Sequence, residues 1–450
     1  MKKRKIKIAA ALLALCMIIP TSLIGCSAKG KTLVSLDDYK ISTNIYQLML
    51  SQQKGKMANY IYSEYKNYNS EAFWGTTIDM KTQMTNEEYY NDAVLEKAKN
   101  FLCAMKLYDE LRAEKTDFKM PDSYTENIKT AIDDFIEFDG EGSKSTLNSL
   151  LSAYGINVKM LEEFLIMEAK AAYVVDYLYG ADGSKIGEAV KTEYFNNNYV
   201  SCKQILIQKY YYVYEKDEDG NDIYYGTDGN ILYDTSKTPI TDSKGNQIYL
   251  NDDGSIAYDK VNGARKEESY KMYSDEELVK LGEKAKEILA IADEKGINGF
   301  DLLRKEYSED YDSNDQTGGV MYYATNVQYA SYTSDYLDDI TAALKNMKTG
   351  EVKLLESDLS YNIIIKTDLE SGAYNEKKYE GYFTDATYGV NDFLFNLKSE
   401  LYNIRLSKYM SDVKVDEKVL KNSGLTIKTV EPNYNYPDAD IAYHFYDQYN

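Results

Sequence analysis

The residue types that most often carry chemistry are scarce in this chain, and their positions narrow the options. The single histidine, His444, stands near the C-terminal end. One imidazole in that place argues against a zinc site and against histidine-based acid–base catalysis. Of four cysteines, Cys16 lies in an apolar run and Cys26 follows Leu23-Ile24-Gly25, which reads as a lipobox whose thiol takes a lipid. Cys103 and Cys202 fall in no C-x-x-C or zinc spacing, and sequence alone leaves open whether they pair. Asp217-Glu218-Asp219-Gly220 could begin a calcium loop, but Gly226 occupies the place of the closing bidentate carboxylate. Bare turn chemistry is the better reading there. Asp310-Tyr311-Asp312-Ser313-Asn314-Asp315 lacks the glycine such a loop needs and reads as a solvated acidic loop. No metal and no cofactor is expected.

Lys2, Lys3, Arg4, Lys5 and Lys7 precede an apolar run from Ile8 to Ile19. That run is too short to span a bilayer comfortably, so residues 1–25 read as a cleaved lipoprotein signal peptide. A plain secretory signal with an incidental cysteine is the alternative; the position of Cys26 at the end of the run favours lipidation. A diacylglyceryl group would anchor a soluble body rather than span the membrane. Cleavage removes five cations and no anions, leaving 47 basic against 73 acidic side chains, a net charge of −26. That balance argues against nucleic acid and suits a body held off an anionic surface. Only 5 prolines in 450 residues fit a helix-rich chain.

The elements follow from spacing. A helix is expected from Lys31 to about Tyr65, begun by Asp37-Asp38 and lined by Ile45, Leu48 and Met49. Residues 66–84, with the only tryptophan, Trp74, read as a loop. Thr85-Asn86-Glu87-Glu88 is a capping box for a long helix through Val94, Ala98, Phe101, Met105 and Tyr108. Pro121-Asp122-Ser123 opens another helix, stopped at Asp139-Gly140. A short helix from Thr146 to Tyr154 ends at Gly155, and Asn157 caps a long one through Leu161, Phe164, Leu165, Glu168 and Ala172 to Tyr179-Gly180. Residues 210–273 repeat a turn-then-strand unit, as in Asp219-Gly220-Asn221 before Ile223-Tyr224-Tyr225, and read as inserted β-hairpins. Exposed tyrosines there could bind a partner or pack between hairpins. Ser274-Asp275-Glu276-Glu277 caps a helix that ends at Gly296, and a further helix is expected from Asn391 to Met410. Residues 431–450 read as a loose tail.

Between Gly299 and Leu369 several motifs occur in a fixed order. Phe300, Leu303, Tyr307, Ser308 and Asp310 spell F-x-x-L-x-x-x-Y-S-x-D. Gly318-Gly319 follows, then Met347-Lys348-Thr349-Gly350-Glu351, then Ser360-Tyr361-Asn362-Ile363-Ile364-Ile365-Lys366. Val200-Ser201-Cys202-Lys203-Gln204-Ile205-Leu206-Ile207 is the matching first strand. This resembles the parvulin (rotamase) domain of peptidyl-prolyl cis-trans isomerases over roughly a fifth of the chain. The helices between Thr146 and Tyr179 resemble the N-terminal chaperone segment of PrsA- and SurA-type foldases.

The resemblance implies a site. The family's first-strand histidine falls on Gln204, its Cys/Asp on Asp310, its apolar proline pocket on Tyr336 and Ile340, and its last-strand histidine on Asn362. Prolyl isomerisation breaks no σ bond; the barrier is lost amide resonance, roughly 18–20 kcal/mol. Catalysis must grip the ring and favour the twisted amide. Here the acid is kept while both imidazoles become amides, which can donate and accept but not titrate. Two readings stay open. One is a weakened isomerase with Asp310, Gln204 and Asn362 catalytic. The other is a peptide-binding scaffold in which Gln204 and Asn362 tie two strands together. Cys202, on the same strand face as Gln204, either contacts substrate or is a buried inert thiol.

The expected fold class is α+β: a helical chaperone-like domain from residues 26–199 and 371–430, a parvulin-like α/β domain over 200–370 with the 210–273 insertion, and a tail. The expected role is a lipid-anchored extracytoplasmic folding factor acting on unfolded or secreted polypeptides, at a Gram-positive surface. The alternatives are a non-catalytic chaperone and a surface adhesion or scaffold module.

Overall fold

The structure, a computed structural model, describes residues 30–62, 70–79, 82–180, 182–242, 245–309, 317–325, 334–384 and 392–433. Cys26, Asp310 and His444 lie outside them, as does the side chain of Tyr336. The chain is α+β and divides into two compact units. One comprises residues up to Gly187 together with those from Leu394 onward; the other is Glu188–Phe393.

In the first unit, β1 (Thr32–Leu36) and β2 (Tyr39–Ser42) form a hairpin, and only then does α1 (Thr43–Tyr62) begin. The expected helix from Lys31 is therefore wrong over its first turns. Asp37, at φ +50°, and Asp38 make a tight turn rather than a helix start, and Leu33, Val34 and Leu36 are buried in the strand before it. Residues 66–84 also hold more than a loop. Ser70 caps α2 (Glu71–Gly75), which buries Trp74, and β3 (Thr77–Asp79) pairs with β4 (Met84–Thr85).

The capping box forms as expected at the head of α3 (Asn86–Glu114): the Thr85 N–H donates to Glu88 Oε2 at 2.9 Å and the Glu88 N–H to Thr85 Oγ1 at 3.3 Å. Val94, Ala98, Phe101 and Met105 are buried, and Cys103 with them. α4 (Asp122–Phe138), α5 (Lys144–Leu151) and α6 (Val158–Tyr179) follow. Asn157 caps α6 through the Met160 N–H at 3.0 Å, and Phe101 stacks on Phe164 at 5.6 Å.

The second unit opens with α7 (Glu188–Asn198) and β5 (Tyr199–Gln208). The insertion then runs through β6 (Tyr210–Tyr214), β7 (Tyr224–Tyr225), β8 (Thr238–Thr241), β9 (Gln247–Leu250), β10 (Ala264–Arg265) and β11 (Glu267–Met272). These pair as three separate antiparallel ribbons, β6 with β11, β7 with β10 and β8 with β9. Asp217 spends its carboxylate on turn bonds, accepting from the Asp219 and Asn221 N–H groups and from the Tyr258 hydroxyl.

After the insertion come α8 (Asp275–Tyr307), β12 (Met321–Ala324), α9 (Ser334–Asn346), β13 (Val352–Glu356), β14 (Ser360–Thr367) and the short α10 (Glu380–Phe383). The sheet order is β12-β5-β14-β13, antiparallel throughout. α8 covers one face through Ala285, Ile288, Ala292, Phe300 and Leu303 against Ile205, Ile207, Ile363 and Ile365. Gly296, at φ +59°, breaks its helical path, where the sequence stopped one helix and began another. α9 covers part of the other face through Ile340 and Leu344 against Val200, Cys202 and Ile364.

α11 (Asp392–Met410), β15 (Lys414–Val415) and α12 (Glu417–Ser423) complete the chain, and β15 returns to pair with β1. No described helix is long and apolar enough to cross a membrane.

Candidate functional site

β5 and β14 share an eight-pair antiparallel register in which Gln204 faces Ile364 and Asn362 faces Leu206. With a period of two, Gln204 and Asn362 then stand diagonally on one face, the α9 side of the sheet. Gln204 Nε2 donates to Asn362 Oδ1 at 2.9 Å. Asn362 Nδ2 donates onward to Ser360 Oγ at 2.9 Å, and Ser360 Oγ meets Ser357 Oγ at 3.0 Å. Asn362 is 0 % exposed and Gln204 6 %. A buried amide costs free energy unless its polar atoms are paired. This chain of hydrogen bonds therefore ties together β5 and β14, the two central strands of the sheet. Sequence reasoning missed Ser360 and Ser357; the signal was Ser360 two residues before Asn362 on the same face.

The remaining motif residues hold the chain around that pair. The Leu206 N–H donates to Ser308 Oγ at 3.1 Å and the Glu309 N–H to the Leu206 carbonyl at 2.8 Å. The residues just before Asp310 are thus tethered to the Gln204 strand. Phe300 and Leu303 anchor the same helix in the core. Gly319, at φ +74°, lies against the buried Arg304; a Cβ there would stand 2.4 Å from Arg304 Nε. The glycine pair is required by that close approach and by its left-handed backbone. Gly350, at φ +82°, turns α9 into β13, and Glu351 accepts from the Lys348 N–H at 2.8 Å. Lys366 Nζ donates to the Leu344 and Met347 carbonyls at 2.6 and 2.7 Å, satisfying the end of α9.

At the far end of β5, Lys209 Nζ bonds Glu356 Oε1 and the Ser357 carbonyl, both at 2.7 Å, and stands 4.3 Å over the Tyr361 ring. That ammonium holds the Glu356 carboxyl below its ordinary range.

Of the expected substrate-contacting residues, Ile340 is 0 % exposed, packed with Leu344 and Ile364. Cys202 is also fully buried in that cluster, its thiol pushed up to about 12 by burial. It is a free thiol, as is Cys103, which burial pushes up to about 11. At neutral pH both are protonated and poorly nucleophilic. Tyr336 lies on α9, and Asp310 beyond Glu309.

No family model matches the chain, and neither does any curated protein. Solved structures do resemble it. Foldase protein PrsA from Streptococcus pneumoniae is 14% identical over 77% of this chain and 97% of its own, with a TM-score of 0.18. PrsA from Bacillus subtilis is 16% identical over 76% of this chain and 90% of its own, with a TM-score of 0.17. Foldase protein PrsA from Lactococcus lactis is 12% identical over 87% and 97%, with a TM-score of 0.18. At these values the likeness assigns no activity to this chain.

Proposed function

We propose that this chain is a lipid-anchored extracytoplasmic folding factor that binds unfolded polypeptides and uses its parvulin-like site for binding rather than efficient prolyl isomerisation. The observation that carries this reading is the buried Gln204–Asn362 hydrogen bond. In the resembled family the two positions are histidines flanking the acid. Here they are neutral amides, bonded to each other across β5 and β14 and, through Asn362, to Ser360. Side chains so engaged are poorly placed to follow a peptide bond as it twists. The order of strand, helix, glycine pair, helix and closing strand supports the scaffold half of the reading. The lipobox at Cys26 and the basic, apolar N-terminus support the anchoring.

The test is exchange spectroscopy on a short Ala-Pro peptide with the soluble body from Ser27 onward. Exchange should stay at the uncatalysed rate, with a time constant of tens of seconds, and Asp310→Ala should change nothing. Catalysed exchange abolished by Asp310→Ala would replace this reading with that of a working isomerase using amides in place of imidazoles.

A further inference from the structure

The β6–β11 ribbon begins one residue after the site strand β5, and none of its residues is buried. Every residue of β11 is exposed. The register pairs Tyr212 with Tyr270 and Tyr210 with Met272, so Tyr210, Tyr212, Tyr214, Tyr270 and Met272 share one face. Tyr210 packs against Tyr212 at 5.4 Å and Tyr270 at 5.0 Å, forming a continuous strip of rings. Tyr270 is 55 % exposed and Met272 43 %. Among the described residues the ribbon has only its two strands, so both outer edges keep unpaired backbone groups.

The ribbon's own chemistry indicates what such a strip takes. At its outer end the Arg265 guanidinium lies 3.7 Å over the Tyr214 ring, and Lys266 Nζ lies 5.7 Å over Tyr225. Among the described residues no cation stands over Tyr210, Tyr212 or Tyr270, which offer the same negative ring faces. Their setting is anionic as well. Residues 210–273 hold thirteen acidic against seven basic side chains, and the exposed pair Glu267-Glu268 opens β11.

We propose that the tyrosine face and free edges of this ribbon form a docking strip for extended, lysine- or arginine-bearing polypeptide. The inference deepens the client-binding reading and rests on it. The open edge selects an extended peptide, because only a backbone supplies matching N–H and C=O groups along a strand. The rings and the carboxylates select for positive side chains on alternate positions.

The test uses the soluble body from Ser27 onward and two labelled, unstructured peptides of valine and serine, one with interspersed lysines and one with glutamates in their place. Fluorescence anisotropy should show at least about tenfold tighter binding of the lysine peptide. The triple variant Tyr210→Thr/Tyr212→Thr/Tyr270→Thr should lose about that factor, and Tyr270→Thr alone part of it. Tyr211→Thr, on the opposite face, should bind as the wild type does. Far-ultraviolet circular dichroism checks the triple variant's fold; if that is lost, the single Tyr270→Thr substitution decides. Equal affinity for the two peptides, or no loss in the Tyr270→Thr variants, overturns the proposal. So does binding of a soluble β-1,4-linked glycan in preference to both peptides. If an aggregating client is still protected while the peptides fail this pattern, only the strip falls; if no client is protected and no peptide binds, the client-binding reading falls with it.

Discussion

Asn362 is the residue on which the proposed site depends. Its carboxamide is fully covered and bonded on both sides, to Gln204 at 2.9 Å and to Ser360 at 2.9 Å. Asn362→Leu would keep the volume but strip both contacts from the centre of the sheet. The expected cost is about 1–3 kcal/mol, the penalty for lost buried hydrogen bonds. It should appear as a lowered urea midpoint with an unchanged slope; an unchanged midpoint would mean that the amide pair contributes little to joining the strands. At this scale the sequence was legible where a motif fixed the register. Gln204 and Asn362 stand out because two specific strand patterns carry them. Ser360 did not, since a serine opening a strand looks like turn punctuation until the face it shares with Asn362 is known. Cys202 was readable only as one of two alternatives, because burial depends on the α9 residues packed over it, 138 positions away at Ile340.

At the scale of elements, capping boxes and glycine stops were easy to read because their physics is local. The starts of α3 and α8 follow from Thr85-Glu88 and Ser274-Glu277, and Gly155 ends the 3-10 turn Ser152–Tyr154 that continues α5. Short strands such as β1 and β2 were hidden within an apparent helical period. That the C-terminal segment joins the N-terminal helices is expected from the family resemblance, but the residues that hold it are not legible, because its partners are remote in sequence. Lys54, only 2 % exposed on α1, donates from Nζ to the Lys428 and Val430 carbonyls at 2.9 and 2.7 Å. Its neighbour Gly55 leaves room for Asn433, whose carbonyl oxygen would lie 1.9 Å from any added Cβ. Asn433 in turn donates its N–H to the Ser51 carbonyl at 2.8 Å. Lys54→Met should release this segment: limited proteolysis should cut between Gly424 and Asn433 faster than in the wild type, and stability should fall by about 1–3 kcal/mol. Equal cleavage rates would show that the segment is held by its apolar contacts alone.

On the scale of the whole molecule, two compact units share one chain, and the helical one takes residues from both ends of the sequence. The pairing of β1 with β15, Val34 opposite Val415, closes that unit across nearly the whole chain length. The formal net charge of −21 over the chain favours solubility. The proposed function requires that this molecule protect unfolded polypeptides without prolyl catalysis. The most direct test is light scattering from an aggregating, chemically unfolded protein diluted into buffer with and without the soluble body from Ser27 onward. Scattering should fall as the body approaches an equimolar ratio, and fall equally with Asp310→Ala. Scattering that is unchanged by the wild-type body, or that only the intact Asp310 suppresses, would contradict the proposed function.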